Sequence, residues 1–329
     1  MPNHPISFAL APMAGFTDAA FRRICGSFGA DYAVSEMISA VALTRDDAKT
    51  AELAKITPGE PPVVLQIFGR EPEVMARAAE LLLSGDYRGC SYATPPAGID
   101  INLGCPVKKI VSNGEGSALM LDADRAARIM SAVREVCERH GVPASVKFRL
   151  GWDAEISPEF ARRMAEAGAQ KITLHCRTRA QMYAPSADPS AAKRAADALR
   201  DTSVPLVGNG DISSRETAAV YLAGGCAEVA VGRAALGDPW LFQRLKHPEM
   251  PDDARPSLEE IKSLVLSFVA DVVREKGEER GVRESRSRAA YFIKGLRGSA
   301  ALRDRLNHAV TMEQFASAVD AWEPERIQN

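Results

Sequence analysis

Short apolar segments alternate with longer amphipathic segments through the first 245 residues of the chain. Eight of the short segments have the length and composition of buried parallel strands. They are predicted at Ser7–Ala11, Tyr32–Val34, Val63–Ile67, Ile99–Asn102, Ser145–Arg149, Ile172–His175, Leu206–Gly208 and Glu228–Val231. Helices are predicted between them, at Thr17–Phe28, Pro72–Leu83, Asp122–Arg139, Ser157–Ala167, Ser190–Leu199 and Ser213–Leu222. Eight βα units, with no GxGxxG after the first strand, favour a closed (β/α)8 TIM barrel over an open sheet, so the predicted fold class is α/β.

Three of the predicted helices begin with a recognisable start signal. Asp122 and Ser213 are good N-cap residues, and Ser157-Pro158 places a proline in the first turn.

The pattern changes after Trp240, and we predict a small C-terminal all-helical domain. His247–Pro256 is rich in proline and acidic residues and is typical of a linker, and only helical periodicity follows it. We therefore predict a barrel domain at 1–246 and a helical domain at 257–329. The helical domain has a strongly basic stretch, in which only Glu284 and Asp304 oppose eight cations. These are Arg280, Arg283, Arg286, Arg288, Lys294, Arg297, Arg303 and Arg305. The stretch is either a solvated helix face or a surface for nucleic acid or phosphate.

Composition excludes several classes of protein. The chain has 329 residues and a net charge of −2, and it contains no apolar run of 18 residues, so we expect no membrane span. The N-terminus lacks the basic and apolar regions of a signal peptide. Its six scattered cysteines include no CxxC pair and indicate reduced thiols, so we expect a cytoplasmic protein without a metal site.

Unusual residues stand at the carboxyl ends of seven predicted strands, where TIM barrels carry their active sites, and six of these ends carry polar side chains. A barrel with a purely structural role needs no amides, amines, imidazole or guanidinium groups there. These residues are Ala11-Pro12-Met13-Ala14-Gly15, Gln66, Asn102, Lys147 with Arg149, His175, Asn209-Gly210-Asp211 and Gly232-Arg233.

Their chemistry points to a flavin nucleotide. Asn209–Asp211 and Gly232-Arg233 end the seventh and eighth strands, where barrels commonly bind phosphate. Lys147 could stabilise negative charge on a reduced flavin ring, and Gln66 and the Pro12–Ala14 backbone could hydrogen-bond its polar edge.

Cys105 follows the fourth strand in the turn Asn102-Leu103-Gly104-Cys105-Pro106. Its thiol could act as a nucleophile or as a proton donor, or the residue could be structural. No histidine adjoins it to activate a nucleophile, which favours the proton donor.

Together these motifs resemble the bacterial tRNA-dihydrouridine synthase family, over residues 8 to about 242 and in the family's order. The matching segments are APMAGFTD from Ala11, QIFG from Gln66, DINLGCP from Asp100, VKFR from Val146, HCRT from His175 and GNGDI from Gly208, with YFIKG from Tyr291 resembling the family's C-terminal helical domain.

The resemblance implies an FMN enzyme that uses NADPH to reduce carbon 5–carbon 6 of uridine in tRNA. It implies that Cys105 protonates carbon 5 and that Asn102, Arg149 and Arg177 bind the substrate. The residues implied to hold FMN are Pro12, Met13, Ala14, Gln66, Lys147, His175, Asn209, Gly210, Asp211, Gly232 and Arg233. The helical domain, with its basic stretch, is implied to bind tRNA, and we expect a monomer.

Two segments depart from the family pattern. Residues 88–96 resemble an insertion, which we expect on the non-catalytic side of the barrel. Residues 182–189 replace a glycine-containing stretch near the active site, which puts the substrate contact there in doubt.

Two other functions remain open from the sequence. One is a flavin-dependent small-molecule reductase, for example dihydroorotate dehydrogenase-like, and the other is a non-catalytic RNA-binding barrel. The intact Cys105, Lys147 and Arg233 argue against the second.

Overall fold

The computed structural model describes residues 6–323, and the chain divides after Arg233 into two compact units. The strands described all lie in the first unit. They are β1 (Ser7–Leu10), β2 (Tyr32–Val34), β3 (Ile38–Ser39), β4 (Val63–Phe68), β5 (Gly98–Leu103), β6 (Ala144–Arg149), β7 (Lys171–His175), β8 (Leu206–Asn209) and β9 (Glu228–Val231).

The sheet closes on itself as a parallel barrel. β1 pairs with both β2 and β9, β2 pairs with β4, and β4 to β9 pair in sequence. The two-residue β3 adds only a short pairing to β4. Eight strands therefore form the closed ring, and the predicted TIM barrel is confirmed. Each predicted strand is present, and its ends differ from the prediction by no more than one residue.

Small side chains fill part of the barrel interior. Ala9, Ala11, Val207 and Ala230 form one buried cluster, and the ring of Tyr32 packs against it. Alanines on the neighbouring strands β1 and β9 leave room for a tyrosine, so this layer is filled by one large side chain among small ones.

The helices of the first unit lie between the strands in the chain. They are α1 (Ala19–Ser27), α2 (Ala40–Leu43), α3 (Ala48–Glu52), α4 (Pro72–Ser84), α5 (Lys108–Val111), a 3-10 helix (Gly116–Leu121), α6 (Ala123–Arg139), α7 (Ser157–Glu166), α8 (Ser190–Ala198) and α9 (Arg215–Ala223).

The start of α9 corrects one prediction. Its N-cap is Ser214 rather than Ser213. The Ser214 hydroxyl accepts from the backbone N–H of Thr217, and the Thr217 hydroxyl accepts in return from the backbone N–H of Ser214. Ser213 and Ser214 have the same intrinsic preference for the N-cap position, and the reciprocal capping box with Thr217 selects Ser214. Asp122 caps α6 as predicted.

The insertion at 88–96 lies between α4 and β5, so it runs across the N-terminal ends of the strands, as expected. Tyr92 forms a parallel bridge with Ile56, and its hydroxyl lies 2.9 Å from that of Tyr87. These contacts attach the insertion to the loop before β4 and away from the catalytic end.

A 3-10 turn from Arg233 to Leu236 spans the division between the units. The elements described beyond it, up to residue 323, are helices: α10 (Leu241–Lys246), α11 (Leu258–Lys276), α12 (Glu278–Phe292), α13 (Ser299–His308) and α14 (Met312–Asp320). Gly281 allows α11 and α12 to approach closely, because a Cβ there would lie 2.6 Å from Val273 Cα. Phe268 and Phe292 pack edge to face between them, with ring centroids 5.6 Å apart. No helix within residues 6–323 is long and apolar enough to cross a membrane.

Two of the eight cations in the basic stretch of the helical domain do not belong to an exposed basic face. Arg288 is buried with its guanidinium 4.8 Å from the Phe268 ring centroid, and Arg286 donates to the carbonyl of Ala309. Arg283, Lys294, Arg303 and Arg305 are exposed. The basic surface is therefore smaller than the sequence alone indicates.

Candidate active site

Strand register brings the predicted polar residues together inside the catalytic end of the barrel. Gln66 on β4 lies opposite Asp100 on β5, and Asn102 lies opposite Lys147 on β6. Arg149 on β6 lies opposite His175 on β7. Residues two apart on a strand share a face, so Asp100 with Asn102, and the β6 residues 145, 147 and 149, form inward-facing rows.

A chain of hydrogen bonds runs from the barrel interior to Cys105. Gln66 Nε2 donates to Asp100 Oδ2 at 2.7 Å, and Asn102 Nδ2 donates to Gln66 Oε1 at 2.8 Å. Asn102 Oδ1 then accepts from the backbone N–H groups of Gly104 at 3.1 Å and Cys105 at 2.9 Å. The side chain of Asn102 therefore closes the turn that carries the thiol.

Cys105 is half-buried, and a glycine supports its loop from beneath. Gly116 adopts a φ of +59°, and a Cβ built on it would lie 2.8 Å from the Cys105 carbonyl oxygen. Ser117 donates its backbone N–H to the same carbonyl at 3.0 Å. Only glycine meets both demands at position 116, the left-handed backbone and the close approach.

Burial raises the pKa of the Cys105 thiol above its ordinary value. The backbone N–H of Val107 and the charges of Arg149 and Lys147 act in the opposite direction but do not cancel the effect. The thiol consequently keeps its proton at neutral pH, as a general acid requires.

Lys147 lies at the same end and has an altered acidity. Burial and the neighbouring Arg149 lower its pKa to about 8, against the opposing charge of Asp100. Its ammonium donates no hydrogen bond and forms no ion pair in the described part of the chain. A lysine without a partner at the mouth is suited to receive a ligand acceptor.

Asp100 is buried beneath these groups. Burial raises the pKa of its carboxyl, and hydrogen bonds from Ser145 and Gln66, with the charges of Lys147 and Lys171, oppose that rise. Ser145 Oγ donates to Asp100 Oδ1 at 2.6 Å.

The predicted phosphate end is built by the loops after β8 and β9. Gly210 and Asp211 have positive φ values of 128° and 49°. Asp211 accepts from Arg233 at 2.9 Å and from Arg177, so one carboxylate holds two guanidinium groups. Gly232 leaves open space, because a Cβ there would meet only Met13 Sδ, at 3.9 Å. Asn209 donates to the Ala230 carbonyl and ties the two strands together.

His175 is an uncharged member of this group. Burial and the charges of Lys147, Arg149, Arg177 and Arg233 hold its pKa well below the ordinary value. Its Nε2 lies 3.2 Å from Arg177 Nη1, which can only donate, so the histidine proton belongs on Nδ1. Four cations lie near this one imidazole, and such a concentration of positive charge favours the binding of an anion.

Arg149 and Arg177 are both buried, and their guanidinium groups are largely occupied: Arg149 by backbone carbonyls, and Arg177 by one carbonyl, His175 and Asp211. Arg149 donates to the carbonyls of Gly104 at 2.8 Å and Met182 at 2.8 Å, which joins the loop of Cys105 to the loop after β7. Arg177 donates to the carbonyl of Pro185 at 2.7 Å. Their predicted contact with substrate stays a prediction.

The loop after β1 carries the remaining predicted residues. The Thr17 hydroxyl closes a turn on the backbone of Met13 at 3.1 Å, and Pro12 and Met13 are half-buried while Ala14 is exposed. Gly15 donates its N–H to Glu36 at 2.6 Å. This loop reaches the phosphate end through Met13, beside Gly232.

Sequence reasoning missed three residues of the site. Tyr183 is exposed, and its ring lies 4.9 Å from the Arg233 guanidinium and 5.8 Å from that of Arg149. Asp100 and Gly116 are the others. A carboxylate inside an otherwise apolar strand was a signal for Asp100, whereas position 183 carries no pattern that distinguishes it from a surface tyrosine.

Comparison with known proteins gives a consistent result. The family model described as "Dihydrouridine synthase (Dus)" matches residues 9–327. A "Probable tRNA-dihydrouridine synthase" of Rickettsia bellii is 34% identical over 91% of this chain and 89% of its own. A "tRNA-dihydrouridine synthase B" of Pseudomonas aeruginosa is 33% identical over 100% of this chain and 95% of its own. A protein of the same name from Xanthomonas campestris pv. campestris is 37% identical over 92% and 89%.

The family match spans both compact units and includes every residue of the site described above. The resemblance inferred from the motifs is therefore confirmed, and this chain belongs to the dihydrouridine synthase family.

Proposed function

We propose that this chain reduces the carbon 5–carbon 6 bond of a uridine in tRNA to dihydrouridine, with FMN as cofactor and NADPH as reductant. Membership of the family and the names of its full-length relatives support the reaction and the substrate. The cytoplasm is the proposed location, where tRNA is available and the six unpaired thiols stay reduced. A monomer remains the predicted state.

The residues present fit FMN. Lys147, Arg149, Arg177 and Arg233 supply more positive charge around His175 than Asp211 balances, which suits a phosphate group. Arg233 is half exposed and keeps donors available beyond its bond to Asp211. The open space at Gly232 admits a ligand beside backbone N–H groups. Pro12, Met13, Ala14, Gln66, His175, Asn209 and Gly210 complete the proposed FMN set.

FMN supplies the hydride to carbon 6 when it is bound. Lys147, protonated below a pKa of about 8, holds a positive charge at the mouth where negative charge develops during reduction. Lys147 forms no direct hydrogen bond or ion pair in the described residues, so its donors are available to the ligand.

Cys105 supplies the proton to carbon 5. The S–H bond breaks, a C–H bond forms, and the thiolate left behind is stabilised by the Val107 N–H and by Arg149 and Lys147. Solvent then returns a proton to the sulfur. A positioned general acid contributes about 100- to 10,000-fold in rate.

The uracil must leave the RNA stack to reach this pocket. Asn102 is proposed to orient it, together with Arg149 and Arg177. Arg149 joins the loops after β5 and β7, so its proposed part is to hold the pocket walls at a fixed spacing. The exposed cations of the helical unit, Arg283, Lys294, Arg303 and Arg305, are proposed to contact the tRNA backbone.

The observation that carries the proposal is a half-buried thiol, held by the Asn102 turn, on the same barrel end as Lys147, which forms no hydrogen bond or ion pair in the described residues. The test separates the two half-reactions by anaerobic stopped-flow absorbance. NADPH should bleach the flavin band without RNA, and unmodified tRNA should restore it, whereas orotate and simple enones should not. Restoration by a small molecule alone would favour a small-molecule reductase, and a protein that takes up no flavin would refute the proposal.

A further inference from the structure

Asp100 has no part in the reaction proposed above, yet it terminates the hydrogen-bond chain that ends at Cys105. Its exposure is only 3%, and the chain proceeds through Gln66 and Asn102 with every link between 2.7 and 3.1 Å. A buried chain of this kind is costly unless each donor meets an acceptor.

The chain has a direction, because side-chain amides have one donor end and one acceptor end. Backbone N–H groups at Gly104 and Cys105 can only donate, so Asn102 must turn its oxygen toward them. Its NH2 then faces Gln66 Oε1, and the Gln66 NH2 must find an acceptor at position 100. A carboxylate at position 100 accepts the hydrogen bond from Gln66. A donor at that position would force the side-chain amides of Gln66 and Asn102 to reverse.

We propose that Asp100 is a positioning residue whose buried carboxylate fixes the orientation of the Gln66 and Asn102 amides and, through them, the turn that carries Cys105. Its importance for activity rests on the proposed function of Cys105, but its effect on the turn does not.

Ser145 provides a sharp test of the proposal. Asp100→Asn can keep an oxygen toward Gln66 only by pointing its own NH2 at the Ser145 hydroxyl, which can accept it. Ser145→Ala keeps the Asp100 carboxylate in place, so the direction of the hydrogen-bond chain does not change. Each single variant should retain the Cys105 turn. In the double variant Asp100→Asn with Ser145→Ala, the NH2 group of the new asparagine has no acceptor at position 145. If this NH2 group turns toward Gln66 instead, it meets the Gln66 NH2 group, and two donors face each other.

The first measurement is alkylation of Cys105 by iodoacetamide in the purified holoenzyme, followed on the cysteine-containing peptides by mass spectrometry. Cys90, the other thiol that is not buried, lies on the insertion and serves as an internal reference. We expect each single variant to stay within about threefold of wild type and the double variant to react about tenfold faster, the effect of leaving one buried amide unsatisfied. Equal rates in all four proteins would overturn the proposal.

The second measurement is re-oxidation of the reduced flavin by tRNA. The double variant should be slowed about tenfold or more while the singles are not, because a misplaced general acid loses its effect. Should the double variant not fold, Gln66→Met interrupts the same chain nearer to Cys105 and must raise the alkylation rate at saturating FMN, a condition that offsets any loss of FMN affinity because Gln66 belongs to the proposed FMN set. If it does not, Asp100 has no positioning role. Altered alkylation without any tRNA-dependent re-oxidation in wild type would refute the proposed function but not the role of Asp100.

Discussion

At the scale of the residue, Cys105 combines two properties that a nucleophilic cysteine would not have. Its pKa is raised by burial, and no imidazole lies within hydrogen-bonding distance of it in the described residues. A nucleophile needs a thiolate at neutral pH, and a general acid needs the thiol. The site favours the acid.

Cys105→Ala should therefore separate the two half-reactions. We expect NADPH to reduce the flavin at a near-normal rate, since that step needs no thiol, and we expect tRNA to re-oxidise it about 100- to 10,000-fold more slowly. Cys137→Ala, which removes a buried cysteine on α6, is the matched control and should re-oxidise normally. Re-oxidation of Cys105→Ala as fast as wild type means that another group donates the proton.

Lys147 predicts a pH dependence. Its pKa is lowered to about 8, so its positive charge is complete well below that pH and is lost as the pH rises through it. The rate of flavin reduction by NADPH should fall several-fold between about pH 7 and pH 9.5, as the fraction of protonated lysine falls.

Lys147→Met should be slow at pH 7 and nearly independent of pH in that window. Stopped-flow traces at constant ionic strength measure both proteins. A variant that retains the wild-type pH profile would show that another group titrates.

At the scale of the element, the position of the thiol depends on a turn and on the 3-10 helix beneath it. Gly116→Ala adds strain from a φ of +59° and a 2.8 Å contact with the Cys105 carbonyl. Gly141→Ala adds strain from a φ of +67° but meets nothing within 4 Å. Each should lose about 1–2 kcal/mol of unfolding free energy from its backbone conformation alone.

Only Gly116→Ala should also slow tRNA-dependent re-oxidation, by about tenfold, because only there must the Cys105 loop move. Thermal unfolding and stopped-flow absorbance on the two variants make the comparison. Equal kinetics in both variants would mean that the 3-10 helix does not position the thiol.

The elements were largely predictable because buried parallel strands and amphipathic helices leave different periodicities in the sequence. The eight barrel strands were found for that reason. Ser213 was mistaken for the cap of α9 because two adjacent serines have the same preference, and the choice of Ser214 depends on its bond with Thr217.

The positions of polar residues at the strand ends predicted which residues enter the site, but they did not predict what those residues contact there. Arg149 and Arg177 were predicted to contact substrate, and the structure adds that contacts within the protein occupy much of their donor capacity. The hydrogen-bond chain from Asp100 depends on register between β4, β5 and β6, which no local pattern encodes. Tyr183, in the loop after β7, lies against Arg149 of β6 and Arg233 after β9, and no local pattern encodes these contacts either.

At the scale of the whole molecule, the net charge of −2 conceals one basic stretch, residues 280–305 of the helical unit, in which eight cations face two acidic residues. Replacement of Arg283, Lys294 and Arg303 by Glu should weaken tRNA binding. It should also reduce the slope of log affinity against log salt concentration by the contribution of about three phosphate contacts, because each neutralised phosphate releases counterions. Arg288 is excluded from this set because it packs on Phe268.

The matched control reverses Arg162, Lys193 and Arg200 on α7, α8 and the turn after α8, with the same change of net charge. It should bind tRNA as wild type does. Filter binding over a range of salt concentrations measures both, and flavin reduction by NADPH should be unchanged in both. Equal loss of affinity would indicate net charge rather than a located surface.

The central claim is that this chain makes dihydrouridine, and nucleoside analysis of its product tests it most directly. An unmodified tRNA transcript is incubated with the FMN-loaded protein and NADPH, digested to nucleosides and analysed by mass spectrometry. We predict a nucleoside heavier than uridine by two hydrogen atoms, dependent on NADPH and formed at least about 100-fold more slowly by Cys105→Ala. Uridine that stays wholly unreduced in every tRNA of a complete set, with a protein whose flavin NADPH does reduce, would contradict the account.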